Sequence, residues 1–254
     1  ITQCTDGDYY VGTTGSLAIL TLAGGLSVET VIPDIVYAGS ISADANGNVA
    51  VVTSEGKLYL LRERKVVSEI TAENGNAYTC CSFDEDGMLY AGTTGSTIEV
   101  LGVNSKGMKR QTTYECEGLR NLKSLRFSDE GILFICADTG MGYMDDQKEY
   151  CGIQADAFSS SVDHMLIDYQ GNLWFTSSRL GLLRLCPSVF TDIYHEAGLT
   201  DQVVNCVTQW NGDYYFGTDN GLDMAHEGKM QGTTNSLTEQ LAGIRVRNLN
   251  VDQK

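Results

Sequence analysis

Proline is nearly missing from this chain, with 2 residues in 254 against 28 glycines. Sheets exclude proline because their strands need every backbone donor, and tight hairpins recruit glycine for its positive φ. Basic residues are scarce as well: 17 Lys and Arg stand against 33 Asp and Glu, a formal net charge of −16. The lack of a basic stripe argues against a nucleic-acid partner, and the same deficit against an anionic membrane surface. No apolar run approaches the roughly 20 residues that span a bilayer. No helical period of three to four persists over a useful length. No secretory leader is expected within these residues, since Ile1 already reads as part of a repeat, and the expectation is a segment of something larger. The eight cysteines form no Cys-x-x-Cys pair and no Cys/His cluster with zinc spacing.

What is present is a phrase repeated about every forty residues. It reads Asp/Asn-x-Gly, then apolar and aromatic residues, then Gly-Thr or a small-residue substitute. Its turn glycines are Gly7, Gly47, Gly87, Gly131, Gly171 and Gly212, spaced by 40, 40, 44, 40 and 41 residues. Three residues after each stand Tyr10, Ala50, Tyr90, Phe134, Trp174 and Tyr215; one further on stand Val11, Val51, Ala91, Ile135, Phe175 and Phe216. Six residues before each turn stand Ile1, Ile41, Cys81, Leu125, Met165 and Cys206, with Leu249 in the same slot of an unfinished seventh copy. Apolar residues at adjacent strand positions mean that both faces of a sheet are covered.

This pattern predicts an all-β fold, a β-propeller of four-stranded antiparallel blades. The repeats run over 1–36, 37–75, 76–118, 119–157, 158–198 and 199–243, with a partial seventh at 244–254. In the fifth, the strands are expected at Val162–Ile167, Leu173–Thr176, Gly181–Leu185 and Val189–Tyr194. The whole reads as one domain of 1–254: six complete repeats plus the first strand of a seventh, with seven blades favoured in the native protein. Ile41, Cys81, Leu125, Met165, Cys206 and Leu249 are expected to be nearly fully buried on innermost strands. Cys81, Cys136 and Cys206 read as small apolar fillers. Cys116 and Cys151, near the ends of successive repeats, are not expected to pair.

Two stretches carry a family resemblance: Gly198-Leu199-Thr200-Asp201-Gln202-Val203-Val204 followed by Asn211-Gly212-Asp213-Tyr214-Tyr215-Phe216-Gly217-Thr218-Asp219-Asn220-Gly221-Leu222, and Asp168-Tyr169-Gln170-Gly171-Asn172-Leu173-Trp174 with Gly181-Leu182 after it. They resemble the two-component regulator propeller repeat. The resemblance covers nearly the whole chain, is specific in repeats five and six, and is degenerate in repeats one to four. It implies an extracytoplasmic, ligand-sensing propeller of a bacterial membrane receptor, with a β-sandwich, a transmembrane helix and a kinase or cyclase output domain as the remaining receptor domains. By analogy it also implies a small polar ligand such as an oligosaccharide, and a homodimer formed through the full-length receptor.

The residues themselves point to binding rather than chemistry. The aromatic column in the second strands is blade-to-blade packing, whereas Trp210 sits at a hairpin tip and is expected to be exposed or rim-packed. The acidic turns at Asp44–Asn48 and Asp84–Gly87 lack a complete calcium ligand set and are explained by Asx turns. No metal or cofactor is expected. His164, His195 and His226 have no nucleophile at a telling spacing, and no G-x-S-x-G elbow occurs. Loops entering each innermost strand and loops joining second and third strands should emerge on one face. There we place Glu55, Lys57, Arg120, Asn121, Arg179, Asp201, Gln202, Asp219 and Asn220, a mixed set suited to a polyhydroxylated or zwitterionic ligand. Two rival readings remain open: a propeller lyase or hydrolase acting on a polysaccharide or ester, and a protein-interaction scaffold without a small ligand.

Overall fold

The computed structural model describes residues 1–22, 24–145, 147–155, 158–186, 192–226 and 231–252. The chain divides into two compact units, Ile1–Pro187 and Ser188–Lys254. Every sheet is an antiparallel meander in chain order, the blade of a β-propeller.

The first unit holds five blades. They are Thr2–Gln3 (β1), Tyr9–Gly12 (β2), Leu17–Thr21 (β3) and Ser27–Ile32 (β4); Ala38–Ala43 (β5), Asn48–Thr53 (β6), Lys57–Arg62 (β7) and Lys65–Thr71 (β8); Tyr78–Phe83 (β9), Leu89–Thr93 (β10), Thr97–Asn104 (β11) and Gly107–Glu115 (β12); Leu122–Phe127 (β13), Leu133–Ala137 (β14), Gly140–Met144 (β15) and Tyr150–Gly152 (β16); and Val162–Ile167 (β17), Leu173–Ser177 (β18) and Gly181–Leu185 (β19). The second unit holds one blade, Val204–Trp210 (β20), Asp213–Thr218 (β21), Leu222–His226 (β22) and Gln231–Thr233 (β23), with two short helices, Ile193–Glu196 (α1) and Ser236–Gln240 (α2).

The hairpins joining first to second strands form because each turn glycine adopts positive φ, from 78° at Gly87 to 91° at Gly7, a conformation that costs glycine nothing. An Asx side chain then closes the loop: Asp44 Oδ1 accepts from the amides of Asn46 and Asn48, and Asp168 Oδ1 from those of Gln170 and Asn172. The acidic turns are thus hydrogen-bonded hairpins.

Core packing follows the two-residue period of a strand. In β6 and β7, Val49, Val51, Tyr59 and Leu61 pack against Tyr10, Leu17 and Ile19 of the first blade. The alternate residues Ala50, Val52, Leu58 and Leu60 pack against Tyr78, Cys81 and Leu89 of the third. The same alternation links blades three and four, then four and five. Each fully buried Val or Leu contributes roughly 1.5–3 kcal/mol. All eight cysteines are free thiols. Cys80, Cys81, Cys116 and Cys136 fill core slots, and burial pushes Cys81, Cys116 and Cys136 up to about 12.

Three expectations need correcting. Of the six residues expected to be buried, Cys81, Leu125 and Met165 are, but Ile41, Cys206 and Leu249 are only half-buried; Ile1, in the same slot though outside that expectation, is 81% exposed. An innermost strand has an open channel on one side, and Ile1 and Ile41 line it. The seventh first strand is not formed, because 244–250 makes no ladder. Val246 still keeps the repeat's packing slot: it abuts Gly217 as Leu122 abuts Gly92, and its amide donates to the Thr218 carbonyl. The strand expected at Val189–Tyr194 lies largely outside the described residues, and its end, Ile193 and Tyr194, opens α1.

Candidate functional site

The first strand of each blade from the second onward carries an extra residue relative to its partner. The bulged positions are Gly39, Thr79, Lys123 and Asp163 in the first unit and Asn205 in the second. A bulge re-aims the side chain it inserts. In the first unit the four bulged residues border one cavity of about 440 Å³, at the end where the first strands begin. Tyr37, Thr53, Ser54, Thr94, Asn121 and His164 complete much of its wall. Loops entering first strands and loops leaving second strands therefore do share a face.

The backbone of this mouth is stitched together. Tyr37, Asn121 and Ser161, each ten residues before a turn glycine, all adopt φ near 50°. Their amides donate to the carbonyls of Thr13, of Thr94 and Gly95, and of Asp138. A left-handed tyrosine is costly and persists only where its surroundings impose it. Tyr37 is 56% exposed beside the cavity.

A charged cluster occupies one wall. Lys123 Nζ lies 2.7 Å from both Asp138 Oδ1 and Asp163 Oδ1. Asn121 Nδ2 donates to Asp138 Oδ2 at 2.6 Å, and the Ser178 amide donates to Asp163 Oδ2 at 2.6 Å. The hydrogen bonds from Asn121 and then Lys123 hold the Asp138 carboxyl below its usual range; that from Lys123 does the same for Asp163. The two carboxylates raise Lys123, Asp138 foremost. All three groups are ionised at neutral pH. A general acid needs a raised carboxyl pKa, and these are shifted the other way, so the cluster is suited to hydrogen bonding rather than proton transfer. Thr53 Oγ1, elsewhere in the cavity lining, is buried without a hydrogen-bond partner among the described residues, an unmet demand that a bound water or ligand would satisfy.

Of the nine residues expected on this face, Asn121 lines the cavity. Arg120 and Arg179 are exposed, and their guanidinium groups have no hydrogen-bond or ion-pair partner among the described residues; their backbone amides donate to Thr139 Oγ1 and Ser177 Oγ. Glu55 is exposed, and Lys57 reaches Glu69 on the neighbouring strand at 4.0 Å. The other four belong to the second unit. There Gln202 Nε2 donates to Asp223 Oδ2 at 2.5 Å, where Tyr194 Oη also donates at 2.9 Å, and Asn220 Nδ2 reaches Gln202 Oε1 at 3.4 Å. Asp219 accepts from Asn205 and pairs with Arg245 Nε at 2.7 Å; the first of these bonds is the larger cause of its lowered pKa. Asp201 is exposed. Trp210 is 55% exposed, its ring 6.5 Å from that of Tyr215.

Lys123, Asp138 and Asp163 escaped the sequence reading, though a signal existed. Aligned on the turn glycine, Lys123 and Asp163 share the position eight residues before it, and Asp138 and Asp219 the position seven after it. Charges at fixed slots beside apolar columns mark a rim.

No family model matches this sequence, and no curated protein sequence does. Solved structures do resemble it. One is the extracellular domain of a provisionally assigned hybrid two-component system from B. thetaiotaomicron, with TM-score 0.58 and 17% identity over 93% of this chain and 33% of that one. A second such domain from the same organism gives 0.56 and 16% over 92% and 35%. A β-propeller domain of Cps50 (Swd1) from Myceliophteria thermophila gives 0.55 and 10% over 92% and 83%. At these identities the likeness establishes the propeller fold. This chain spans about a third of the length of the two-component domains it resembles.

Proposed function

We propose that this chain is a non-catalytic, ligand-sensing propeller from the extracytoplasmic part of a bacterial transmembrane signalling receptor, and that it binds a small polar ligand, such as an oligosaccharide, at the mouth bordered by Lys123 and Asp163. The observation that carries the reading is the rim itself. Four successive blades use the same bulge to present four different residues to one cavity, the bare backbone of Gly39 and the side chains of Thr79, Lys123 and Asp163. Variation on a rigid scaffold is what recognition uses. Donors and acceptors at fixed positions around an exposed tyrosine suit a ligand with many hydroxyls. Extracellular two-component domains among the similar structures support the sensing role. The absence of a transmembrane helix among the described residues is compatible with a domain outside the membrane. The signal would follow from differential affinity: the ligand must favour one arrangement of the receptor to move its output equilibrium.

Calorimetric titration against a panel of oligosaccharides and peptides tests this. Lys123→Ala should weaken binding of any panel member by roughly 1–3 kcal/mol through loss of a charge-assisted bond. Replacing Arg120 and Arg179 together by alanine tests whether the exposed guanidinium groups extend the site. Undiminished binding in both variants would overturn the assignment.

A further inference from the structure

Behind the mouth lies a second cavity of about 430 Å³, bordered by residues of all five first strands of the first unit. Its lining differs from the rest of the protein in charge. The chain has nearly twice as many acidic as basic residues, yet no Asp or Glu lines this channel, and its titratable side chains include Arg126 and His164. The Arg126 guanidinium has no hydrogen-bond or ion-pair partner among the described residues, whereas Arg62, Arg64 and Arg110 all bond to protein acceptors. The His164 ring likewise has no such partner among them. The neighbouring Asp163 carboxylate is turned to Lys123 and the Ser178 amide.

Among the hydroxyls around these groups, Ser42 is oriented to donate. Ser42 Oγ accepts from the Phe83 amide at 3.0 Å, which leaves its proton to donate elsewhere. Ser40 Oγ accepts from the Cys81 amide at 3.0 Å and donates back to the Cys81 carbonyl at 3.4 Å, so its proton is already engaged. Ser124, one turn of the strand from Arg126, lines the same space. A cavity with a planar fork of donors, an imidazole, several hydroxyls and no carboxylate complements an oxyanion.

We propose that the channel of the first unit is a binding site for a small oxyanion, a carboxylate or phosphate, held by Arg126 with His164, Ser42 and Ser124. It adjoins the mouth, sharing Gly39 and His164 with it, but its cation is Arg126, whereas the mouth's Lys123 is already neutralised by two carboxylates. The guanidinium fork would take two anion oxygens at once, and Ser42 and Ser124 would donate to the others.

The two sources are separated by titrating the protein with citrate and with inorganic phosphate, followed by calorimetry and by amide chemical shifts, with glycerol and glucose as neutral controls. At least one anion should bind and shift the amides of Ser82, Ser124 and Arg126, while the neutral controls leave those amides unmoved. Arg126→Gln should weaken that binding at least tenfold, and Arg126→Lys should restore part of it. Lys123→Ala should change it less than twofold, which keeps this claim separate from the mouth. The side chain of Arg126 is exposed, so the variants should retain the wild-type circular dichroism and melting temperature. Failure of both anions to bind, equal binding by Arg126→Gln, or equal response to glucose would overturn the proposal.

Discussion

The second and fifth blades of the first unit differ in an instructive way. The second has the less legible repeat, with Ala50 where later copies carry an aromatic, yet every residue of β6 is buried and both faces of the blade pack against neighbours. The fifth has the clearest phrase, with Trp174 and the Gly181-Leu182 pair. Its Met165 and Phe175 pack toward the fourth blade, while Leu182 on β19 is 60% exposed. A strong motif therefore marks hairpin chemistry rather than core quality. The turn glycine and Asp168 fix a local conformation; stability comes from which faces are covered.

The largest expected effect breaks the comparison directly. Leu60→Ala, in the blade covered on both faces, should cost roughly 2–5 kcal/mol in urea unfolding. Leu182→Ala should stay within about 0.5 kcal/mol. Equal losses would show that the two blades are packed alike.

A smaller effect is expected at the junction of blades two and three. Glu99 is buried on β11 and accepts from Tyr78 Oη at 2.5 Å, from the Glu73 amide at 3.0 Å and from Arg110 Nε at 2.5 Å. Arg110 also donates to the Thr71 carbonyl. Arg110→Ala leaves the carboxylate without its countercharge and should cost roughly 2–3 kcal/mol, a figure already reduced because the guanidinium is partly open to water.

The acid limb sharpens the contrast further. Burial raises the Glu99 pKa, but its bonds to Tyr78, the Glu73 amide and Arg110 outweigh that and leave it lowered. The half-buried Asp168 is lowered to about 2, first by the donated Trp174 indole N–H and then by Asn172. A lowered folded pKa stabilises above the unfolded value and is lost as pH falls through the folded one. Melting temperature should therefore drop as pH falls from about 4 toward 2. Asp168→Asn should flatten that limb. A slope unchanged in this variant would show that the hairpin carboxylate does not contribute.

The smallest effect is a predicted identity. Melts with and without reductant, and with and without chelator, should agree within about 2 °C, since the buried thiols act as fillers and the turn aspartates bond to backbone. A large drop under either treatment would reveal a disulfide or metal that the fold depends on.

Much of the architecture is legible in the sequence because turn glycines and adjacent apolar residues are local signals. Gly47, Gly87, Gly131 and Gly171 fall at the turns the period assigns, with φ between 78° and 80°. The site is harder to read. Asn121 stands out by type and position, but Lys123 and Asp163 reach the mouth through bulges, and a bulge is a property of pairing register that no composition rule reports. Their ion pair joins two blades 40 residues apart. Ile41 was misjudged for a related reason: the apolar column of the first strands gives no sign that a channel opens on one side of it.

The most direct test of the account is a chemical-shift map of the labelled protein titrated with the oligosaccharide and peptide panel. The amides of Asn121, Lys123, Asp163 and Ser178 should move together with one ligand, and those of the hairpin turns at Gly47, Gly87 and Gly171 should stay still. A ligand that shifts the turn amides and leaves the mouth unchanged would contradict the central claim.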